Sequence, residues 1–262
     1  MRIAIQENLL PRGSLRDKFA LAEKLGFEGI EIWGHNIEER LGEIMEIKQS
    51  FKVAVSTICS GYRGDLLGLK REERELAIRD IKVRLEAASK LEAVGVIVVP
   101  TFGKPKLPDP WPLYERIEEF ERRLLIAELK ELGKYADDVG AFILLEPLNR
   151  YETHFINRLE QAVDICNEVG IEHVRIMADF FHMNIEEASI PESLRRARGY
   201  LRHIHLADSN RLAPGFGHTD FKGAFKALKE IDYRHFMAFE CHIPRPIEES
   251  IRKSLAYLRS LM

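Results

Sequence analysis

Eight times along the chain a short, almost wholly apolar run is followed by a longer amphipathic stretch, and no other feature restricts the fold as strongly. The apolar runs are Ile3–Gln6, Gly29–Trp33, Val53–Ile58, Val94–Pro100, Ala141–Glu146, Val174–Asp179, Leu201–Leu206 and Phe236–Glu240. Such runs, short and lacking strict polar alternation, are expected to form strands covered on both faces, as in a parallel sheet. Between them, Ser14–Leu25, Glu72–Glu92, Tyr114–Asp138, Leu159–Val169, Phe221–Ile231 and Ile247–Leu261 carry helical periodicity. Ser14 is placed to cap the first helix, and Asp220 stands just before the one that follows the seventh strand. Gly26, Gly140 and Gly170 follow helical stretches, where left-handed C-terminal caps belong. Eight β-α units in 262 residues predict one (β/α)8 barrel domain over residues 1–262. An open doubly wound sheet is disfavoured because no G-x-G-x-x-G follows the first strand. The longest irregular segment, Thr101 to Pro112, carries four prolines and a tryptophan and is expected to overhang the barrel mouth.

Composition bounds the function class. The net charge of −3 supplies no basic surface for nucleic acid or an anionic membrane. MRIAIQENLL begins directly with strand-like residues, without the long apolar region of a signal peptide, and nowhere do about 18 apolar residues run together. A cytoplasmic protein is expected. Cys59, Cys166 and Cys241 lie far apart without C-x-x-C spacing, so reduced thiols are expected rather than a disulfide framework or a zinc knuckle.

In AFILLEPLNRYE, residues 141–152, an apolar strand runs straight into the carboxylate of Glu146. A charge leaving a buried strand needs a partner or a function. The next three strands end in the same manner, with Asp179 in VRIMAD, His205 in LRHIHLAD and Glu240 in FMAFE. In a barrel these ends share the C-terminal rim, where loops build active sites. Two glutamates, an aspartate and an imidazole make a hard, mostly oxygen donor set suited to Mn²⁺, Mg²⁺ or Co²⁺. The competing reading, four isolated rim charges each paired with a nearby Lys or Arg, requires a fourfold coincidence.

These motifs resemble the xylose-isomerase-like sugar isomerases and epimerases, and among them the ketohexose 3-epimerases of the D-tagatose and D-psicose type. The resemblance rests on EPLNRYE at 146–152, DFFHMNIEE at 179–187, HLADSNR at 205–211 and FE at 239–240. It implies a TIM barrel whose Glu146, Asp179, His205 and Glu240 hold one divalent metal ion, Mn²⁺ before Mg²⁺ or Co²⁺. It also implies substrate contacts from Glu152, His182 and Arg211, a small-molecule sugar substrate, and a homo-oligomer, dimer or tetramer.

The chemistry such a set permits is inversion of C3 in a ketose or keto-sugar acid. A bound cation would supply the charge that polarises the carbonyl, so that the C3 proton could be removed by way of a cis-enediolate. Glu146 and Glu240, arriving from strands five and eight, would flank the carbon as the catalytic base and acid. Arg211 and His182 would donate to the oxygens that gain charge, and Glu152 would orient them or hold a terminal hydroxyl.

Rival functions share the barrel. Hydroxypyruvate isomerases resemble the chain in E-P-x-N, D-x-x-H-M and His-x-Ala-Asp, but Arg211 and the NRYE run favour an epimerase. Aldose-ketose isomerases of the xylose type place a lysine where this chain has Leu148 and use two metals. Apurinic endonucleases share Asp179-x-x-His182 but need further histidines at strands three and four, where this chain reads STICSG and VVPTFG. Several further residues have plainer readings. His203 lies one step deeper on the same side of its strand than His205 and is expected to be a satisfied interior residue. PGFGH at 214–218 is expected to turn into the following helix rather than cradle phosphate. Cys241 and His242 line the rim. Trp33 and Trp111 are candidates for an apolar wall against the sugar.

Overall fold

The computed structural model describes all 262 residues. Eight strands, β1 (Arg2–Gln6), β2 (Gly29–Trp33), β3 (Ala54–Cys59), β4 (Gly95–Val98), β5 (Phe142–Leu145), β6 (Val174–Asp179), β7 (Leu201–Leu206) and β8 (Phe236–Phe239), close in sequence order into a parallel barrel. The seam is the β1–β8 pairing, with Ala4 opposite Ala238 and Ile5 opposite Phe239. All four residues of β4 and of β8 are buried, as expected for strands enclosed between barrel interior and helix layer. The (β/α)8 architecture read from the eightfold alternation is therefore the fold. No helix is long and apolar enough to cross a membrane.

The helices pack outside through stripes spaced three and four apart. In α5 (Leu159–Val169) the buried residues are Leu159, Ala162, Ile165, Cys166 and Val169, and in α8 (Phe221–Glu230) they are Phe221, Ala224, Phe225, Ala227 and Leu228. Ser14 caps α1 (Leu15–Leu25) in a reciprocal box with Asp17. Gly26, Gly140 and Gly170 end α1, α4 (Ile117–Val139) and α5 in the left-handed region, at φ 90°, 72° and 70°. The outer layer is completed by α3 (Arg71–Leu91) and α9 (Ile247–Leu261).

Three helices lie outside the segments singled out from sequence: α2 (Ile37–Lys48), α6 (Phe180–Glu186) and α7 (Ile190–Arg196). At the start of α2, Asn36 sits in the left-handed region and its side chain makes no cap. After β6 the chain makes two short helices in place of one long one. The break falls at Glu187, which is extended, and Ser189 then caps a new start with a proline in its first turn. Segment 101–112 lies over the C-terminal rim side of the chain, joined to the β5–α5 loop where Gly103 pairs with Thr153.

Candidate active site

The four strand-end residues converge. Asp179 closes β6, His205 lies in β7, and Glu146 and Glu240 follow β5 and β8 by one residue. One donor atom from each of Glu146, Asp179, His205 and Glu240 lies within 4.8 Å of those of the other three. Glu146, Asp179 and His205 are buried, while Glu240 keeps a partial opening toward the mouth. The Nδ1 of His205 is 3.2 Å from Glu240 Oε2 and 3.7 Å from Glu146 Oε1. Asp179 spends Oδ1 on the backbone N–H of Phe181 at 2.7 Å, capping α6 and aiming Oδ2 inward.

Two atoms at this centre, Asp179 Oδ2 and His205 Nδ1, are buried without a hydrogen-bond partner. Orphaned acceptors beside two more carboxylates are a poor arrangement for a closed protein core and a good one for a divalent cation, which uses such lone pairs. The donor set therefore fits the metal that the motifs imply. Electrostatics agree. Burial, followed by the facing Glu240 carboxylate, pushes Asp179 well above the usual carboxylate range, and burial also raises Glu146. Glu240 feels the same burial, but His205 and Arg211 more than reverse it and hold it at about 2.

The expected substrate-contact residues surround this centre. Arg211 donates through Nη2 to Glu240 Oε2 at 3.0 Å and through Nη1 to Glu152 Oε1 at 3.5 Å, and its guanidinium lies 4.7 Å from the Phe181 ring centroid. His182 is buried on α6 with Nε2 3.6 Å from Asp179 Oδ2. Its Nδ1 meets Asn149 twice, the backbone N–H at 3.3 Å and Nδ2 at 2.7 Å. Because both Asn149 groups donate, Nδ1 is the acceptor and Nε2 carries the proton. Burial, with the nearby Arg211, lowers His182 to about 3, so the ring is neutral. Glu152 is half-open to solvent and accepts from Asn149 Nδ2 at 3.0 Å. All seven residues singled out from sequence are thus gathered in one place.

The loop after β7 holds Arg211. The Asp208 carboxylate accepts backbone N–H bonds from Ser209, Gly215, Gly217 and Thr219 at 2.8, 2.9, 2.8 and 2.9 Å. Gly217 is required there, since a Cβ would lie 2.4 Å from Asp208 Oδ1. PGFGH is accordingly a turn leading to α8, which Asp220 caps through Gly223, and its N–H groups at Gly215 and Gly217 are already engaged. Arg211 adopts φ 59°, held by its N–H to Asp208 O at 2.8 Å and by His242 N–H to its own carbonyl at 2.7 Å. Of the other expectations, His203 is a fully buried interior residue with Nε2 2.8 Å from Glu31, but it is only half satisfied, since its Nδ1 has no hydrogen-bond partner. Trp33 stands partly open at the end of β2, with its N–H donated to Glu7 at 2.9 Å. Trp111 is 75% exposed, so it contributes less wall than expected from its loop. Cys241 is buried and His242 exposed, and all three cysteines are free thiols.

Sequence reasoning missed three polar residues beneath or beside the centre: Gln6, Glu31 and Asn149. Glu31 showed only as a lone carboxylate within the apolar run GIEIW, which does not by itself mark a role. Asn149 stood inside a quoted motif without a role.

The family model described as the xylose isomerase-like TIM barrel matches residues 19–261. The 3-dehydro-D-guloside 4-epimerase of Escherichia coli (strain K12) is 31% identical over 99% of this chain and 100% of its own length. The D-psicose 3-epimerase of Agrobacterium fabrum is 31% identical over 80% of this chain and 73% of its own. Among solved structures, the apo form of the 3-keto-D-glucoside 4-epimerase from E. coli superposes with a TM-score of 0.91 at 31% identity, covering 99% of both chains.

Proposed function

The chain belongs to the xylose isomerase-like TIM-barrel family, and from that premise we propose that it is a carbohydrate epimerase, an isomerase that uses a divalent metal to invert the carbon beside a ketone by proton transfer. C3 of a ketose or keto-sugar acid is the first choice of centre. What carries the reading is the convergence of four metal-type donors with two buried orphan atoms among them.

Glu146, Asp179, His205 and Glu240 would hold the ion, Mn²⁺ before Mg²⁺ or Co²⁺. A bound cation supplies charge that polarises the ketone and offsets the negative charge that develops on its oxygen. Glu146 and Glu240 enter from strands three places apart around the barrel and are assigned to opposite faces of the reacting carbon. One removes its proton, the other returns a proton from the opposite side, and the roles exchange with direction. His182, neutral and with Nε2–H directed to the centre, donates to a substrate oxygen. Arg211 supplies fixed positive charge beside the developing enediolate. Glu152 steadies Arg211 and remains open enough to meet a distal hydroxyl. Small sugars are the proposed partners, and the free, buried thiols support a reducing, cytoplasmic setting. A homo-oligomer is proposed as well.

A second reading keeps the chemistry and moves the centre to C4 of a 3-keto sugar. The observation favouring it is the full-length match to a 4-epimerase. Both are tested by incubating Mn²⁺-loaded protein in D₂O with 2-ketoses, keto-aldonates and 3-keto glucosides and following label by NMR. Deuterium with inversion at C3 of a 2-keto substrate supports the first reading, and deuterium at C4 of a 3-keto substrate the second. Deuterium at C1 of the recovered ketose or at C2 of an aldose product, with none at C3 or C4, would make the protein an isomerase and sink both.

A further inference from the structure

The carboxylate of Glu31 lies in the barrel interior beneath the cluster, only 1% exposed, and is used by four side chains at once. Its Oε1 is 3.0 Å from His205 Nε2 and accepts from Gln6 Nε2 at 2.9 Å. Its Oε2 takes the Thr57 hydroxyl and lies 2.8 Å from His203 Nε2. Gln6 uses the second hydrogen of the same amide on Glu240 Oε1, again at 2.9 Å. One carboxylate on β2 is therefore tied directly to the His205 imidazole on β7 and, through a single amide on β1, to the Glu240 carboxylate beyond β8.

A carboxylate accepts and never donates, so His205 meets it only with a proton on Nε2. In the neutral ring, the form that binds a cation, this leaves the lone pair on Nδ1, the nitrogen facing Glu146 and Glu240. Gln6 completes the arrangement: its carboxamide must present NH₂ to both carboxylates, which leaves the other oxygen of Glu240, Oε2, to face His205 and Arg211. A neutral amide at position 31 would break this logic. Its own NH₂ would confront at least one of the donors Gln6, Thr57, His203 and His205, and a ring turned to accept at Nε2 would carry its proton on Nδ1.

We propose that Glu31 is a positioning residue for the metal centre: it fixes the tautomer and ring plane of His205 and, through Gln6, the orientation of Glu240, so that both present lone pairs to one divalent cation. The inference rests on the metal-binding reading above. Partners of this kind, placed behind a ligand histidine, commonly account for about 10–100-fold in metal affinity.

The test is titration calorimetry of metal-free protein with Mn²⁺ alone, for the unaltered chain and for Glu31→Gln, with circular dichroism and thermal unfolding of each metal-free protein alongside. The expected result is one Mn²⁺ per unaltered chain and a dissociation constant raised about 10–100-fold in Glu31→Gln, with the secondary structure intact. Equal affinity in the two folded proteins would overturn the proposal while leaving the metal-binding reading in place. Failure of the unaltered chain to bind Mn²⁺ would overturn both. Should Glu31→Gln not fold, ¹⁵N NMR of the unaltered protein loaded with Mg²⁺ decides: the proposal requires His205 protonated at Nε2, and a proton on Nδ1 would refute it.

Discussion

Asn149 delivers two hydrogen bonds to a single nitrogen of His182, one from its backbone and one from its side chain, and thereby determines which side of the imidazole faces the cluster. The same Nδ2 also reaches Glu152, so one asparagine orients two of the side chains beside the cluster. Replacing it by leucine removes the shorter, side-chain bond and leaves only the backbone N–H, at 3.3 Å, to hold this tautomer. Turnover is expected to fall by about 10²-fold, the usual scale for losing one preorganised donor, with Mn²⁺ binding unchanged. Steady-state kinetics with parallel metal titration checks this, and unaltered kcat would show that His182 needs no such guide.

Arg211 lies across the open side of the cluster, bonded to Glu240 and Glu152 and stacked over Phe181. Arg211→Ala should retain fold and metal while losing about 10²–10³-fold in kcat, because developing charge would lack its fixed positive neighbour. A rise in KM with kcat preserved would instead mean that Arg211 binds ground state and transition state alike.

The carboxylates of Glu146 and Glu240 are assigned to opposite faces of one carbon, which predicts an asymmetry between their variants. Glu146→Gln and Glu240→Gln should each retain an oxygen donor to the ion but lose nearly all epimerisation. In D₂O, each should still exchange the reacting proton of only the one epimer whose hydrogen faces the surviving carboxylate. If either variant exchanges both epimers, a single base serves both faces and the two-carboxylate assignment fails.

A pH effect independent of the active site is expected at Glu128 on α4. Burial lifts this carboxyl from its ordinary 4.5 to about 8, with Arg74 at 3.8 Å offsetting only part of it, and Oε2 has no hydrogen-bond partner. The folded protein therefore binds this proton more tightly than the unfolded chain. The stability linked to it is complete below 4.5 and is lost as pH rises through about 8. Glu128→Gln is neutral throughout and should flatten that decline, a difference of at most a few kcal/mol. Urea unfolding of both proteins at several pH values across this window measures it, and parallel curves would exclude Glu128 as the source.

The barrel and its metal-type donors were legible for the same reason. A closed parallel barrel buries its strands on both sides, so each strand is an apolar run, and a charge at its end is conspicuous. Strands five and eight read one residue past their C-terminal ends because Glu146 and Glu240 still donate their N–H groups to Val98 and Leu206 of neighbouring strands, continuing the ladder past its last paired residue. Glu31 escaped notice because it sits inside its strand between Ile30 and Ile32, where pattern alone does not separate a buried polar hub from an ordinary inward residue. The role of Asn149 depends on a backbone N–H as well as its side chain, and its partner His182 is 33 positions away. Helix α2 buries only Ile37, Ile44 and Ile47, too sparse a stripe to read, and ends at Gln49 without a glycine stop.

The hydrogen bond from Gln6 to Glu240 joins residues 234 positions apart across the seam where the first strand meets the last. During synthesis the amino-terminal strand emerges long before the residue that completes the donor set exists. The chain must therefore hold its first strand available, or re-form that edge, until the eighth arrives. An ion encountered by the growing polypeptide meets only a fraction of its eventual cage. The four-donor set is in this way a property of the finished barrel, and on the proposed metal-binding reading only a completed chain offers an ion its whole cage.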